Sequence, residues 1–242
     1  MAIRGESVNW LQKIDDNHDR IITTCQVEME FKKNRQNVMK ESIEKFKSPN
    51  YESLKLPAFI GEQKVAKIDK AKKDLNLAVN KTKKVMSKWL DKPETHDTIY
   101  QSLQRLFQSN SSYRLDRDHS QRRLIKHKAR TRFALGYPPK KKDDLTIGDS
   151  LNWEWIIECS ATSGQDIILV TRDSDYFARI GNNIVLNTWL NQEFKDRVSQ
   201  QRKIHVFERL SAAFKFAKID VSAQEEKSEA IVIEVEDQEE II

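Results

Sequence analysis

Apolar positions along the chain alternate between helical spacing and short unbroken runs, and the changes of rhythm mark the elements. Val8, Leu11 and Ile14 recur at helical spacing and predict an amphipathic helix over 6–18. Arg20-Ile21-Ile22-Thr23-Thr24-Cys25 is a β-branched run too short for a helix, and reads as a buried strand. Gln26-Val27-Glu28-Met29-Glu30-Phe31 then opens a helix that continues through Arg35. Ser48-Pro49-Asn50 and Leu56-Pro57 punctuate a loop, after which Val65, Ile68, Leu75, Val79, Met86 and Trp89 recur at spacings of three, four or seven. Lysine saturates the positions between them, so this stretch reads as a coiled-coil-like arm, or as one helix of a hairpin with residues 32–47. Asp91-Lys92-Pro93 ends it, and Thr98–Phe107 resumes an ordinary amphipathic helix.

Further on, Gly148-Asp149 opens a helix with Leu151, Trp155, Ile156 and Cys159 on one stripe. Ile167-Ile168-Leu169-Val170-Thr171 is an unbroken apolar run, the pattern of a strand buried on both faces of a parallel sheet. Asn187–Val198 and Val206–Ala217 read as helices, and Ala230–Val235 as a short strand without an assigned place. Strands that run straight into helices define an α/β domain.

Composition removes several function classes. No apolar run approaches the roughly 18 residues that span a bilayer, and the opening residues lack the apolar core and cleavage site of a secretory leader. With a third of the residues charged and a mean hydropathy of −0.71, the expectation is a cytoplasmic protein with no membrane partner. Two cysteines, Cys25 and Cys159, are too few for a disulfide scaffold or a four-cysteine zinc site. Neither GxxxxGK[ST] nor GxGxxG occurs, so nucleotide-hydrolase and dinucleotide-binding readings fall away.

The formal charge of +5 hides an asymmetry. Residues 219–242 hold nine carboxylates against Lys227, a charge of −8, which leaves +13 on residues 1–218. A body of that charge suits a polyanion, and an acidic tail competes with one. Arg122, Arg123, Lys126, Lys128, Arg130 and Arg132 crowd one stretch, and Lys140, Lys141 and Lys142 follow the turn Gly136-Tyr137-Pro138-Pro139. On a helix Arg123, Lys126 and Arg130 share a face. Phosphate contact is the functional use of such a stripe, and a solvated helix face is the alternative.

Sites in open α/β sheets form beyond the carboxyl ends of the strands. Asp173 and Asp175 follow the strand that ends at Thr171, Asp149 begins the preceding helix, and Glu30 lies early in the helix after the first strand. Clustered carboxylates repel one another unless a cation lies between them, and hard oxygen donors suit Mg²⁺ or Mn²⁺. Such an ion beside a basic stripe is equipment for hydrolysing a phosphodiester. Taken singly, each acid is explained as well by a helix cap or a surface charge.

These residues resemble a family. Gly148-Asp149 with Trp153-Glu154-Trp155, then Val170-Thr171-Arg172-Asp173-Ser174-Asp175-Tyr176-Phe177, looks like the second half of a PIN-like nuclease domain. Gln26–Arg35 looks like its early helix, and the Pro-Pro turn matches a bacterial subgroup with a long helical insertion. The resemblance spans roughly 7–47 and 98–228. It implies a PIN-like parallel-sheet domain flanked by helices over 1–218, a coiled-coil-like helical insertion at about 48–97, and an acidic tail at 219–242. It also implies a metal-dependent endonuclease, most often acting on RNA in toxin or defence settings. Glu30, Asp149 and Asp173, Asp175 or both would then be the catalytic and metal-site acids, and Mg²⁺ or Mn²⁺ the cofactor. Arg123, Lys126, Arg130, Arg132, Lys140, Lys141, Lys142 and Arg172 are the expected nucleic-acid contacts, and the helical arm the surface for an antitoxin or for self-association. The family's opening strand, which ends in an Asp, has no equivalent after Met1-Ala2-Ile3-Arg4-Gly5; Asp15 and Asp16 fall at the end of the first helix. That departure carries the rival expectation of a non-catalytic nucleic-acid-binding module, or of a truncated, inactive nuclease.

Overall fold

A computed structural model describes residues 3–49, 61–140, 145–181 and 183–239. The chain divides into two compact units, one made of Met1–Glu28 with Leu103–Ile242, the other of Met29–Ser102. In chain order the elements are α1 (Ile3–Asp16), a single 3₁₀ turn at His18–Arg20, β1 (Thr23–Thr24), α2 (Cys25–Lys45), α3 (Glu62–Asp91), α4 (Pro93–His96), α5 (Thr98–Gln108) and β2 (Arg114–Leu115). Then follow α6 (Arg122–Leu135), α7 (Gly148–Ser163), β3 (Ile167–Val170), β4 (Phe177–Ile180), β5 (Asn183–Leu186), α8 (Thr188–Arg197), β6 (Ile204–Phe207), α9 (Leu210–Phe216) and α10 (Ala223–Glu239).

The first unit is built around α7. A helix that is apolar all round is a buried one, and α7 is buried on two sides at once. Trp153, Ile156 and Ile157 pack with Ile167, Tyr176, Phe177, Leu190 and Phe194 in one cluster. Leu151, Trp155 and Cys159 pack with Leu115, Ile125 and Ala129 in another. The single buried stripe expected of this helix is therefore corrected to a two-sided core, because its aromatic and aliphatic positions alternate between the clusters. Ile22 packs against both. Gly136 follows the end of α6 and Gly164 the end of α7, each with positive φ (+71° and +64°), the left-handed closure that glycine permits without a Cβ clash.

Described strands form three pairs. β1 and β2 are parallel, β3 and β6 are parallel with Ile167 opposite Ile204 and Val170 opposite Phe207, and β4 and β5 form an antiparallel hairpin. Three sequence expectations change here. Arg20–Cys25 yields only a two-residue strand, since the helix already starts at Cys25. Val206–Ala217 is not one helix: Ile204–Phe207 takes the parallel edge beside β3, and the helix waits until Leu210. β3 is parallel but not buried on both faces, for Ile168 and Val170 stay 37% and 40% exposed.

The acidic C-terminal stretch is also helical where a strand was expected at Ala230–Val235. Glu229 of α10 accepts hydrogen bonds from the backbone N–H groups of Leu210 (2.6 Å) and Ser211 (3.1 Å), which satisfies the open N-terminus of α9. Glu225, buried on the same helix, accepts from Lys13 Nζ of α1 at 2.5 Å, and Trp10 stacks on Phe214 at 5.8 Å between ring centres. Part of the acidic stretch is thus consumed in closing the unit.

In the second unit Arg35 of α2 donates to Asp97 Oδ2 (2.7 Å) and to the Trp89 carbonyl (2.6 Å), tying α2 to the far end of α3. Phe31 lies 6.3 Å from Tyr100. The 30-residue α3 keeps Ile68, Leu75, Leu77, Val85 and Trp89 exposed, with Val79 buried. The Leu56-Pro57 punctuation lies outside the described residues. Among the described residues no helix is long and apolar enough to cross a membrane.

Asn187 caps α8, its Oδ1 accepting from the backbone N–H groups of Trp189 (2.9 Å) and Leu190 (3.4 Å). Leu190 is fully buried, so the cap holds a core residue in register. Asn187→Ala is expected to lower unfolding stability by about 1 kcal/mol, and Asn187→Asp to keep most of it, as measured by urea denaturation.

Candidate nucleic-acid site

Three of the four predicted acids lie at one end of the first unit. Helix α7 ends at Ser163 and β3 begins at Ile167, and so short a connection folds a helix back along its strand. The N-terminus of α7, with half-buried Asp149, is therefore at the same end as the turn that leaves β3. Trp153, one turn beyond Asp149, meets Tyr176 edge-on at 6.4 Å, which joins this helix end to the Asp173–Tyr176 turn.

Local hydrogen bonds hold that turn. The Asp173 N–H donates to Thr171 Oγ1 (3.0 Å), the Asp175 N–H donates to Asp173 Oδ1 (3.1 Å), and the Tyr176 N–H reaches the Asp173 carbonyl (3.2 Å). Asp173 and Asp175 are thus brought together with defined roles: one oxygen of Asp173 orders the loop, and Asp175 has a buried carboxylate oxygen, Oδ2. Glu30 is on α2 in the other unit, half-buried. Asp15 serves structure, receiving Arg105 Nε (3.0 Å) and Nη2 (2.7 Å) on its carboxylate.

Among the described residues no three His, Cys, Asp or Glu side chains come together to hold a metal ion. Mg²⁺ does not demand three, because it keeps several waters and is bound through one or two carboxylates plus substrate phosphates. As hard-oxygen donors at one end of the fold, Asp149, Asp173 and Asp175 fit that more open mode.

The predicted cations separate sharply. Arg132 is not available to a phosphate: its side chain is 2% exposed. It donates from Nε to Glu154 Oε1 (2.9 Å), from Nη1 to the Pro138 carbonyl and from Nη2 to Glu193 Oε1. Arg197 closes the network on Glu154 Oε2 (2.7 Å) and Glu193 Oε1 (2.8 Å), and Trp153 Nε1 donates to Glu193 Oε2 (2.9 Å). Two arginines and two glutamates thus clamp α6, α7 and α8 together. Residues Arg197, Glu193 and Glu154 were not expected from sequence to act together; the only available signal was an ionisable residue between two core tryptophans.

Lys140 is also committed, donating to the Phe133 carbonyl (3.1 Å) with its ammonium 4.0 Å from the Phe133 ring centre. Arg123 and Arg130 are exposed and Lys126 half-buried on α6, and no described carboxylate pairs with them. Arg172 is exposed beside Asp173. Lys141 and Lys142 lie outside the described residues.

Burial pushes the Glu154 carboxyl up, but hydrogen bonds from Arg197 and Arg132 outweigh it and hold the group below its usual 4.5. Arg197 is likewise resisted by burial yet raised by Glu154 and Glu193.

A family model described as a PIN domain matches residues 3–176, well over half of the chain. The chain belongs to the PIN domain family. The match takes in Glu30, Asp149, Asp173 and Asp175 and stops at Tyr176. No curated protein and no solved structure matched the chain. PIN domains are nuclease-type domains that engage nucleic acid and generally use divalent metals.

The lowered Glu154 value has a definite sign. The unfolded chain takes up the proton first, so this group's stabilisation is complete above pH 4.5 and is lost as pH falls through the folded-state value. Wild type should therefore lose stability on acidification below about pH 4.5 more steeply than Glu154→Gln, and thermal melts between pH 7 and pH 3 measure the difference. Arg132→Met, which strands buried carboxylates, is expected to cost about 3–5 kcal/mol at pH 7.

Proposed function

We propose that this protein is a metal-dependent endonuclease that hydrolyses phosphodiester bonds, with RNA the favoured substrate on the family resemblance. The observation that carries this reading is the shared rim where Asp149 begins α7 and Asp173 and Asp175 follow β3. Mg²⁺ or Mn²⁺, when bound there, would offset phosphate charge and acidify a water. Asp149, Asp173 and Asp175 are the residues that would hold it.

The chain's own groups have separable tasks in this scheme. Pairing between α6 and α7 is antiparallel: Lys128 meets Glu158, and Arg132 meets Glu154. The order Arg123, Lys126, Arg130 therefore advances along α6 toward the helix end that lies beside Asp149. These cations would bind successive phosphates without reading sequence. Arg172, beside Asp173, would meet the phosphate nearest the acids. The Thr171 hydroxyl holds the Asp173 backbone N–H, and the Asp175 N–H on Asp173 Oδ1 would keep that carboxylate from swinging when a charged strand arrives.

A toxin or defence role in the cytoplasm, with an antitoxin or a second copy on the helical arm, fits this reading. A non-catalytic nucleic-acid-binding module is the second reading, favoured by the absence of a three-ligand cluster among the described residues.

Cleavage of labelled single-stranded RNA and DNA with Mn²⁺ or EDTA separates the two. The expected result is metal-dependent cutting that Asp149→Asn reduces at least a hundredfold with an unchanged circular dichroism spectrum. Salt-dependent binding without cleavage in any metal supports the module instead. In either case the triple Arg123→Ala, Lys126→Ala, Arg130→Ala variant should weaken binding and flatten its salt dependence, with a slope change of about 2 for three single-strand phosphate contacts.

A further inference from the structure

A cavity of about 250 Å³ opens at the opposite end of α7 from the acidic rim. From Asp149 to Glu158 and Ser163 the helix rises roughly 14 and 21 Å at 1.5 Å per residue, so this cavity is not part of the acidic rim. Trp155, Tyr113 and Cys159 line it with His119, Gln121, Glu158 and the hydroxyl residues Ser112, Thr162 and Ser163. The volume lies just below the roughly 300–1,000 Å³ range of ordinary small-molecule sites. It suits a single flat ring system rather than a whole cofactor.

The wall is ordered before any ligand arrives. Trp155 Nε1 donates to the Tyr113 carbonyl at 2.9 Å, and His119 meets Trp155 edge-on at 5.0 Å between ring centres. The Gln121 N–H donates to His119 Nδ1 at 3.2 Å. That bond makes Nδ1 the acceptor, so the neutral ring bears its proton on Nε2 and has a donor left to offer. Lys128 Nζ donates to Glu158 Oε2 at 3.2 Å, and no other described group donates to Glu158, so Oε1 remains an acceptor.

This pair selects chemistry. Lys128 compensates the Glu158 charge, which removes the reason to admit a cation, while the carboxylate disfavours an anion. A neutral ring is left, held by one donor and one acceptor. A ring nitrogen with a lone pair beside an exocyclic amine supplies the complement, and adenine and cytosine present that edge. Uracil and hypoxanthine present the reverse, a ring N–H beside a carbonyl. Burial, aided by Glu158, pushes the Cys159 thiol up to about 12, so it stays a neutral wall atom.

We propose that the cavity between the start of α6 and the end of α7 binds an amine-bearing nucleobase, adenine or cytosine, through His119 and Glu158 against Trp155. The proposal needs only this cavity, not cleavage at the rim. The base has two sources, a free nucleoside or an unstacked base of a strand.

Calorimetric titration of the full chain with adenosine, cytidine, uridine and inosine tests it. Adenosine and cytidine should bind at least tenfold tighter than uridine and inosine. Glu158→Ala should remove that preference. Thr162→Trp, which fills the cavity from an exposed position in the last turn of α7, should weaken adenosine binding at least tenfold with an unchanged circular dichroism spectrum. A parallel loss of oligoadenylate affinity in Thr162→Trp assigns the site to a strand; unchanged oligoadenylate affinity with lost adenosine binding assigns it to the free nucleoside. Equal binding of all four nucleosides, no binding of any, or wild-type adenosine affinity in Thr162→Trp overturns the proposal. Asp149→Asn should leave adenosine binding unchanged, so loss of cleavage and loss of this site are read separately.

Discussion

Glu154 sits in the middle of the most buried helix of the protein, and the first unit is organised around keeping it ionised there. Its side chain is 4% exposed between Trp153 and Trp155, where an unpaired carboxylate would cost several kcal/mol. Two guanidinium groups solve the problem, one from α6 and one from α8, and Glu193 balances the second positive charge. A buried ion network of this kind is weak evidence for stability as such, since apolar replacements often do as well. What it does supply is geometry. Planar guanidinium groups that reach Glu154 Oε1 and Oε2 from two sides define how far α6 and α8 are turned about α7. The position of Asp149 at the start of α7 follows from the same clamp.

Much of the architecture was legible because the relevant signals are local. The apolar run Ile167–Val170, the helix opened by Gly148-Asp149 and the long periodic helix before Pro93 all appear where the pattern puts them. The errors share a cause. Ile204–Phe207 and Ala230–Val235 are both short apolar stretches, and such stretches do not disclose their period. The first became a strand because β3 offered a parallel edge; the second became helix because α1 and α9 offered a surface for Glu225 and Glu229. Both outcomes are tertiary, set by partners distant in sequence. The β4–β5 hairpin was missed for a related reason: four-residue strands around Gly181 give too little alternation to stand out.

Legibility of the candidate site was uneven in an instructive way. Asp149, Asp173 and Asp175 could be nominated because their signal is positional: residues just beyond a strand end or at a helix start share a rim in an α/β fold. The inward turn of Arg132 was missed because a basic helix gives no clue, residue by residue, to which side faces inward. Ile125, Ala129 and Arg132 share the buried face of α6 by their spacing of four and three, so Arg132 goes in while Arg123 and Arg130 stay out. Reading Arg132 together with the apolar positions on its own face would have flagged it. The matching acid could not be placed without knowing that α6 packs antiparallel on α7.

This sorting of charge bears on how a nucleic acid would be held. Arg132, Arg197, Lys128 and Lys140 are engaged inside the fold or along its helix contacts, so the positive charge of the body overstates what a strand would meet. Three cations on α6 with Arg172 would be the described part of the proposed phosphate track, and each single-strand contact contributes only about 0.7 to the logarithmic salt slope. A track that short binds weakly at physiological salt unless something else adds affinity. The acids of the proposed rim would work against it, since Asp149, Asp173 and Asp175 would repel the phosphates that the arginines attract. Divalent charge at the rim would convert that repulsion into attraction, and a base held in the cavity beside Trp155 would add contact that salt does not screen. On the proposed reading, binding and chemistry would be coupled through electrostatics: the carboxylates that would make the site weak for a bare strand are those that would make it selective for a strand with its counterion.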